Sequence, residues 1–176
     1  MKTLTFVFGR FQPPTIGHGY LLKSARKFAG DGVLRIYPSR TCDRKKNPLT
    51  PEQKHHYLRL SFPSMASCFV DDERVKTALD VLTLASEEGF SRVVMVVGED
   101  RLKTFEVLTK KYNGDLYHLE DIHVVSGGDR NPNSDGVDGV SATQLRNYAI
   151  AGDLVSFRLG LSDSLTITDS NNLFDA

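Results

Sequence analysis

The stretch Val93-Val94-Met95-Val96-Val97 is apolar at every position. A strand with one wet face alternates polar and apolar residues, so an unbroken run of this length marks a strand buried on both faces, as in parallel sheets. Working outward, Val75, Ala78, Leu79, Leu82 and Ala85 precede it at helical spacing, and Leu102, Phe105, Leu108 and Tyr112 follow it in the same way. Further β-rich runs occupy residues 3–8, 33–37, 67–70 and 122–125, and apolar residues recur helically from about Gly17 to Ala29. Thr50-Pro51 with Gln53 reads as a helix start: Thr as N-cap, Pro in the first turn and Gln completing a capping box, with a helix running to about Ser61. Another helix opens near Ser141 after a polar, Gly-rich loop over 127–139. Strands alternating with helices of ten or more residues imply βαβ units. The expected fold is α/β: a Rossmann-like, doubly wound parallel sheet of about five strands with helices on both faces. Residues 1–161 are expected to form the domain and 162–176 a tail or an edge element of it.

Composition narrows the function classes. The 176 residues suffice for one cored domain, and they carry 22 basic and 22 acidic side chains. A neutral chain lacks the broad basic face that grips long nucleic acid. Cys42 and Cys68 form no paired spacing, and the five histidines fall into no metal-ligand pattern, so neither a disulfide framework nor a protein-built metal site is expected. The N-terminal apolar run is too short to span a membrane and carries no cleavage site, which makes a cytoplasmic protein the default reading. A homo-oligomer is compatible with the sequence.

The chemistry concentrates in loops that leave strand ends, where open parallel sheets bind their ligands. Gly9-Arg10-Phe11-Gln12-Pro13-Pro14-Thr15-Ile16-Gly17-His18 follows the first strand directly. The prolines stiffen the turn, Gly9 lets the backbone leave the strand sharply, and Gly17 removes a side chain where a phosphate could come close. His18 falls in the first helical turn, where free amides and the dipole favour an anion. Thr15 and His18 could present a hydroxyl and an imidazole to one phosphate. The plainer reading is a capped helix start with an exposed His.

Three other segments qualify. Val140-Ser141-Ala142-Thr143-Gln144-Leu145-Arg146 offers two hydroxyls, helix-start amides and a guanidinium, or else an ordinary N-cap. Arg40, Arg44, Lys45 and Lys46 against Asp43 leave a local net charge of about +3, either solvated or turned to phosphates. Gly98-Glu99-Asp100 leaves the buried strand, and Asp100 either binds a hydroxyl or caps the next helix.

Taken together, G-x-F-x-P-x-T-x-G-H and S-A-T-x-x-R resemble the signatures of the nucleotidyltransferase superfamily that shares its H-x-G-H motif with class I aminoacyl-tRNA synthetases. The resemblance covers roughly residues 2–161, with Thr15 where many members have His, and the stretch from Ala151 to Leu161 is similar to bacteriophage-encoded members. It implies transfer of a nucleoside monophosphate, most readily AMP from ATP, to a small phosphorylated acceptor with release of pyrophosphate. His18 would then serve the α-phosphate and Thr15 would support it. Lys45 or Lys46, Arg146, Ser141 and Thr143 would hold the leaving pyrophosphate, with Gly9, Arg10, Phe11, Gly17, Gly98 and Asp100 around the nucleotide. Magnesium would travel with the triphosphate. Asn47-Pro48-Leu49 and the G-R-F-Q-P opening are similar to nicotinamide mononucleotide adenylyltransferases, with phosphopantetheine adenylyltransferases and cytidylyltransferases as the alternatives. A non-catalytic nucleotide sensor is the competing class. A synthetase fragment is disfavoured because no K-M-S-K-S segment occurs, and a dehydrogenase because no G-x-G-x-x-G follows a strand.

Overall fold

The computed structural model describes residues 2–128 and 141–176. Along the chain run β1 (Thr3–Gly9), α1 (Ile16–Ala29), β2 (Val33–Pro38), α2 (Pro51–Ser61), α3 (Ala78–Glu87), β3 (Arg92–Val97), α4 (Leu102–Lys111), β4 (Asp121–Ser126), α5 (Ala142–Ala151), α6 (Leu154–Leu159) and α7 (Ile167–Asp175). They fall into two compact units: residues 2–8, 20–37 and 72–128, and residues 9–19, 38–71 and 141–176.

The first unit holds the sheet, in the order β2-β1-β3-β4. β1 pairs with β3 in parallel, Thr3 opposite Arg92 through Phe6 opposite Met95, and β3 pairs with β4 from Arg92–Asp121 to Val97–Ser126. The order reverses between β1 and β3, so the fold is the expected Rossmann-like parallel sheet with helices on both faces. Leu4, Phe6, Val7, Val93, Met95 and Val96 are buried at consecutive as well as alternate positions, as two covered faces require. Of the stripe marked in the sequence, Ala78, Leu82 and Ala85 are buried in α3 together with Val81 and Leu84, whereas Val75 precedes the helix and Leu79 is half-buried. Gly89, with φ +86, turns the chain out of that helix in a conformation a side chain would strain.

The described residues hold four strands, not about five. The expected strand at 67–70 is lost to a 3-10 helix, Pro63–Cys68, because Pro63 presets the helical φ in its first turn. Met65 within that helix and Phe69 just after it are both buried. The expected 127–139 loop lies outside the described residues from 129 on, as does Val140.

The second unit has its own core of Leu49, Tyr57, Leu145, Phe157, Leu161 and Leu173. α2 begins as its residues dictate: Thr50 Oγ1 accepts from Gln53 N, and Gln53 Oε1 accepts from Thr50 N. Residues 162–176, expected as a tail or an edge element, hold the helix α7, capped by Thr166 with Asp169. Its Leu173 joins the core, and Phe174 meets Phe157 edge-on at 5.3 Å. Among the described residues no helix is long and apolar enough to cross a membrane.

Candidate active site

Most of the residues singled out in the sequence belong to the second unit, and the first motif is its most constrained loop. Phe11, Gln12, Pro13, Pro14 and Thr15 are all buried, whereas Arg10 is exposed. Phe11 sits at φ +49, a left-handed conformation that costs a non-glycine residue about 1–2 kcal/mol. Its ring covers Gly9, where an added Cβ would stand 3.1 Å from the ring carbons, so Gly9 is needed for this approach. The same ring meets the His18 imidazole edge-on at 4.8 Å.

Thr15 and His18 form a reciprocal pair. The Thr15 amide donates to His18 Nδ1 at 2.9 Å, and the His18 amide donates to Thr15 Oγ1 at 3.3 Å. This is the geometry of a capping box, with His in place of the usual Glu or Gln. α2, α5 and α7 open with the usual version, ending in Gln53, Gln144 and Asp169. Thr15 therefore caps α1 and, through the same turn, holds the imidazole in place. Because Nδ1 accepts a backbone N–H, the imidazole hydrogen resides on Nε2, which makes the outer nitrogen a donor suited to a phosphate oxygen. Gly17 lies in the same first turn of α1.

The second motif is held against the first. Arg146 donates to the Gln12 carbonyl at 2.7 Å and to Thr143 Oγ1 at 3.1 Å. Burial and then the Arg10 guanidinium lower its pKa, and Asp43 opposes them. Two guanidiniums in one field are a strained arrangement that an anion would relieve. Ser141 caps α5, accepting from Gln144 N at 3.2 Å, so its hydroxyl hydrogen is left to donate. Beside Arg146 lies an apolar hollow lined by Pro13, Leu49, Ala149 and Phe157, a wall that strengthens electrostatic contacts by excluding water.

The cationic loop is smaller in charge than its composition suggests. Arg40 is spent on an ion pair with Asp71. Asp43 organises the turn itself, accepting from the amides of Lys45 and Lys46 and from Asn47 Nδ2, which holds its carboxyl down at about 2. The side chains of Lys45 and Lys46 are exposed and, among the described residues, make no hydrogen bond or ion pair.

Gly98 and Asp100 lie in the other unit, where Gly98 ends β3 and opens a short 3-10 turn, Glu99–Arg101. Asp100 is exposed and caps neither this turn nor α4. Its Oδ1 would lie 2.8 Å from a Cβ at residue 98, so a side chain there would make the exposed Asp100 carboxylate turn aside.

Two residues escaped the sequence reading. Gln12 is fully buried: its Oε1 accepts from Leu49 N at 2.8 Å and its Nε2 donates to Leu49 O at 3.0 Å. This clasp pins the first motif to the Asn47-Pro48-Leu49 segment, and nothing local announces it. Lys54 is also fully buried, and here a signal existed, since it shares the inward stripe of α2 with Tyr57, Leu58 and Ser61.

The comparisons agree with this geometry. No curated protein matches the sequence significantly. Among solved structures, a Vibrio parahaemolyticus protein assigned as a nicotinate-nucleotide adenylyltransferase superposes with a TM-score of 0.61 at 18% identity, over 98% of this chain and 99% of its own. The Plasmodium falciparum nicotinic acid mononucleotide adenylyltransferase complexed with NaAD gives a TM-score of 0.62 at 14% identity, over 99% and 98%. A Francisella tularensis bifunctional NMN adenylyltransferase/ADP ribose pyrophosphatase gives 0.62 at 15% identity, over all of this chain and 51% of its own. At such identities these likenesses concern the fold. The sequence itself matches the cytidylyltransferase-like family over residues 6–147, a span that begins in β1 and takes in both motifs. The chain belongs to that family of nucleotidyltransferases.

Proposed function

We propose that the chain transfers AMP from ATP to nicotinamide mononucleotide and releases pyrophosphate. The observation that carries a transfer function is the reciprocal Thr15–His18 pair, which turns the imidazole Nε2–H into a fixed donor at a helix start. The choice of acceptor leans on the G-R-F-Q-P opening, on the Asn47-Pro48-Leu49 segment and on the Francisella neighbour named for NMN, whereas the Vibrio and Plasmodium neighbours are named for the nicotinic acid nucleotide.

In this reading a phosphate oxygen of the acceptor attacks the α-phosphorus in line. A P–O bond to the acceptor forms, the bond to the β-phosphate breaks, and pyrophosphate leaves with the electron pair. An ionised phosphate needs no base to activate it, so catalysis is positioning and charge stabilisation. His18 Nε2–H donates to the α-phosphate oxygens, where negative charge is redistributed. Arg10 and Arg146 supply cations, Ser141 a hydroxyl, and Lys45 or Lys46 reaches the leaving pyrophosphate from the exposed loop. Gly98 and Asp100 serve the nucleotide or the acceptor. Among the described residues no three His, Cys, Asp or Glu side chains converge. Magnesium would come with the triphosphate, as phosphate-bound magnesium generally does.

The test is pyrophosphate release with magnesium, scanned over ATP and CTP against nicotinamide mononucleotide, nicotinic acid mononucleotide and phosphopantetheine. Release that needs ATP and nicotinamide mononucleotide, and that drops ~100-fold or more in His18→Ala with the fold retained, is the expected result. Release with a different pair would reassign the substrates. Binding of triphosphate without turnover on any acceptor would overturn the catalytic reading.

A further inference from the structure

Lys54 occupies a position that α2 ought to give to an apolar residue. It lies on the inward stripe with Tyr57, Leu58 and Ser61 and has no exposed surface. Its ammonium donates to the Ser39 carbonyl at 2.5 Å and to Ser39 Oγ at 3.2 Å. The Ser39 amide in turn donates to the Gly9 carbonyl at 2.8 Å. A short chain of hydrogen bonds thus runs from α2, through the residue that follows β2, to the first residue of the first motif. Among the described residues Lys54 has no carboxylate partner, and the one titratable group whose charge opposes the effect of burial is the Cys42 thiol.

A clamp on one carbonyl could be made by a neutral side chain. Burying an ammonium without a counter-charge is costly, and a lysine retained there points to a use for its charge. A phosphate-binding unit has such a use, because a fixed buried cation strengthens the field met by an incoming polyanion and makes the clamp a charge-assisted bond. We propose that Lys54 is a positioning residue of the nucleotide site: its charged clamp on Ser39 sets the backbone of Gly9 and the Ser39–Asn47 loop for the triphosphate. This rests on the function proposed above.

Burial lowers the Lys54 pKa to about 8, with Cys42 opposing the shift. His55, its neighbour on α2, is shifted down from its ordinary value by burial and by the Lys54, Arg59 and Arg40 charges, against Asp71, and so titrates below the window of interest. The dissociation constant of magnesium–ATP, measured by calorimetry from pH 7.5 to 9.5, should therefore weaken through about pH 8, by roughly tenfold for one charge-assisted bond made neutral. Cys42→Ser should keep that dependence, and Lys54→Gln should bind roughly tenfold more weakly at pH 7.5 with a flat profile. A merely structural lysine would not give the pH dependence. If Lys54→Gln does not fold, the wild-type and Cys42→Ser profiles decide by themselves. Intact binding that is flat with pH, or a Lys54→Gln protein with the wild-type profile, overturns the assignment and leaves the proposed function standing. A wild-type chain that binds neither ATP nor CTP removes both.

Discussion

Replacing Gln12 by Met should destabilise the protein far more than a polar-to-apolar change in a loop normally does. Met matches Gln in length and roughly in volume, so no cavity opens and the ordinary loss of packing is avoided. What goes is the clasp: Leu49 N loses its acceptor at 2.8 Å, and Leu49 O loses its donor at 3.0 Å. Leu49 is 2% exposed and lies in the core of the second unit, so water has poor access to either atom. An unsatisfied buried donor or acceptor costs about 1–3 kcal/mol. The pair therefore costs about 2–6 kcal/mol, out of a total stability of order 5–15 kcal/mol. Urea unfolding at pH 7 should show the midpoint falling, and a thermal midpoint should drop by roughly 4–24 °C for a chain of this size. Gln12→Glu should do no better, since it keeps the acceptor for Leu49 N but turns a carboxylate oxygen toward the Leu49 carbonyl. Activity should fall as well, because the Arg146 guanidinium is anchored on the Gln12 carbonyl, and that carbonyl moves when its side chain is released. A Gln12→Met protein within about 0.5 kcal/mol of the wild type would refute the reasoning, by showing that Leu49 finds other partners at no cost.

Lys54 carries a prediction about stability as well as affinity. Its pKa is about 8 in the folded protein against an ordinary 10.5, so between those values the unfolded chain binds more protons and stability rises with pH, by up to about 3 kcal/mol. Urea unfolding of Lys54→Met should lack that rise; an equal rise in both proteins would place its origin elsewhere. Thr50→Ala should cost about 1 kcal/mol through the lost capping box of α2, measured by thermal unfolding.

What the sequence disclosed and what it hid divide by range. The buried strand and the helix starts at Thr50 and Ser141 are written in residues that touch their near neighbours, and the structure has them where the sequence puts them. The Thr15–His18 pair is also local, three residues apart, and only its mutual hydrogen bonding required the structure. The strand expected at 67–70 failed for a local reason too: a four-residue apolar run is too short to outweigh a proline-started turn just before it. Lys54 and the Thr166-started helix also had local signals that went unread, and the remaining misses are long-range. Gln12 and Leu49 stand 37 residues apart, and Arg146 and Gln12 stand 134 apart. The partner that removes Arg40 from the cationic loop, Asp71, is 31 residues away.

The distinction bears on how the motifs work. Read as strings, the first motif supplies a histidine and the second an arginine, two independent groups aimed at one phosphate chain. The contacts make them interdependent. The Gln12 side chain holds Leu49 while its carbonyl holds Arg146, so a single residue of the first motif fixes the loop that carries His18 and the guanidinium that carries the second charge. Groups joined in this way should not contribute additively. Arg146→Ala and Gln12→Met, each made alone, should each weaken pyrophosphate release. The double variant should then lose less than the product of the two, because the second substitution removes an anchor that the first has already emptied. Strictly multiplicative losses in that cycle would mean that the hydrogen bond at 2.7 Å between the motifs has no part in turnover.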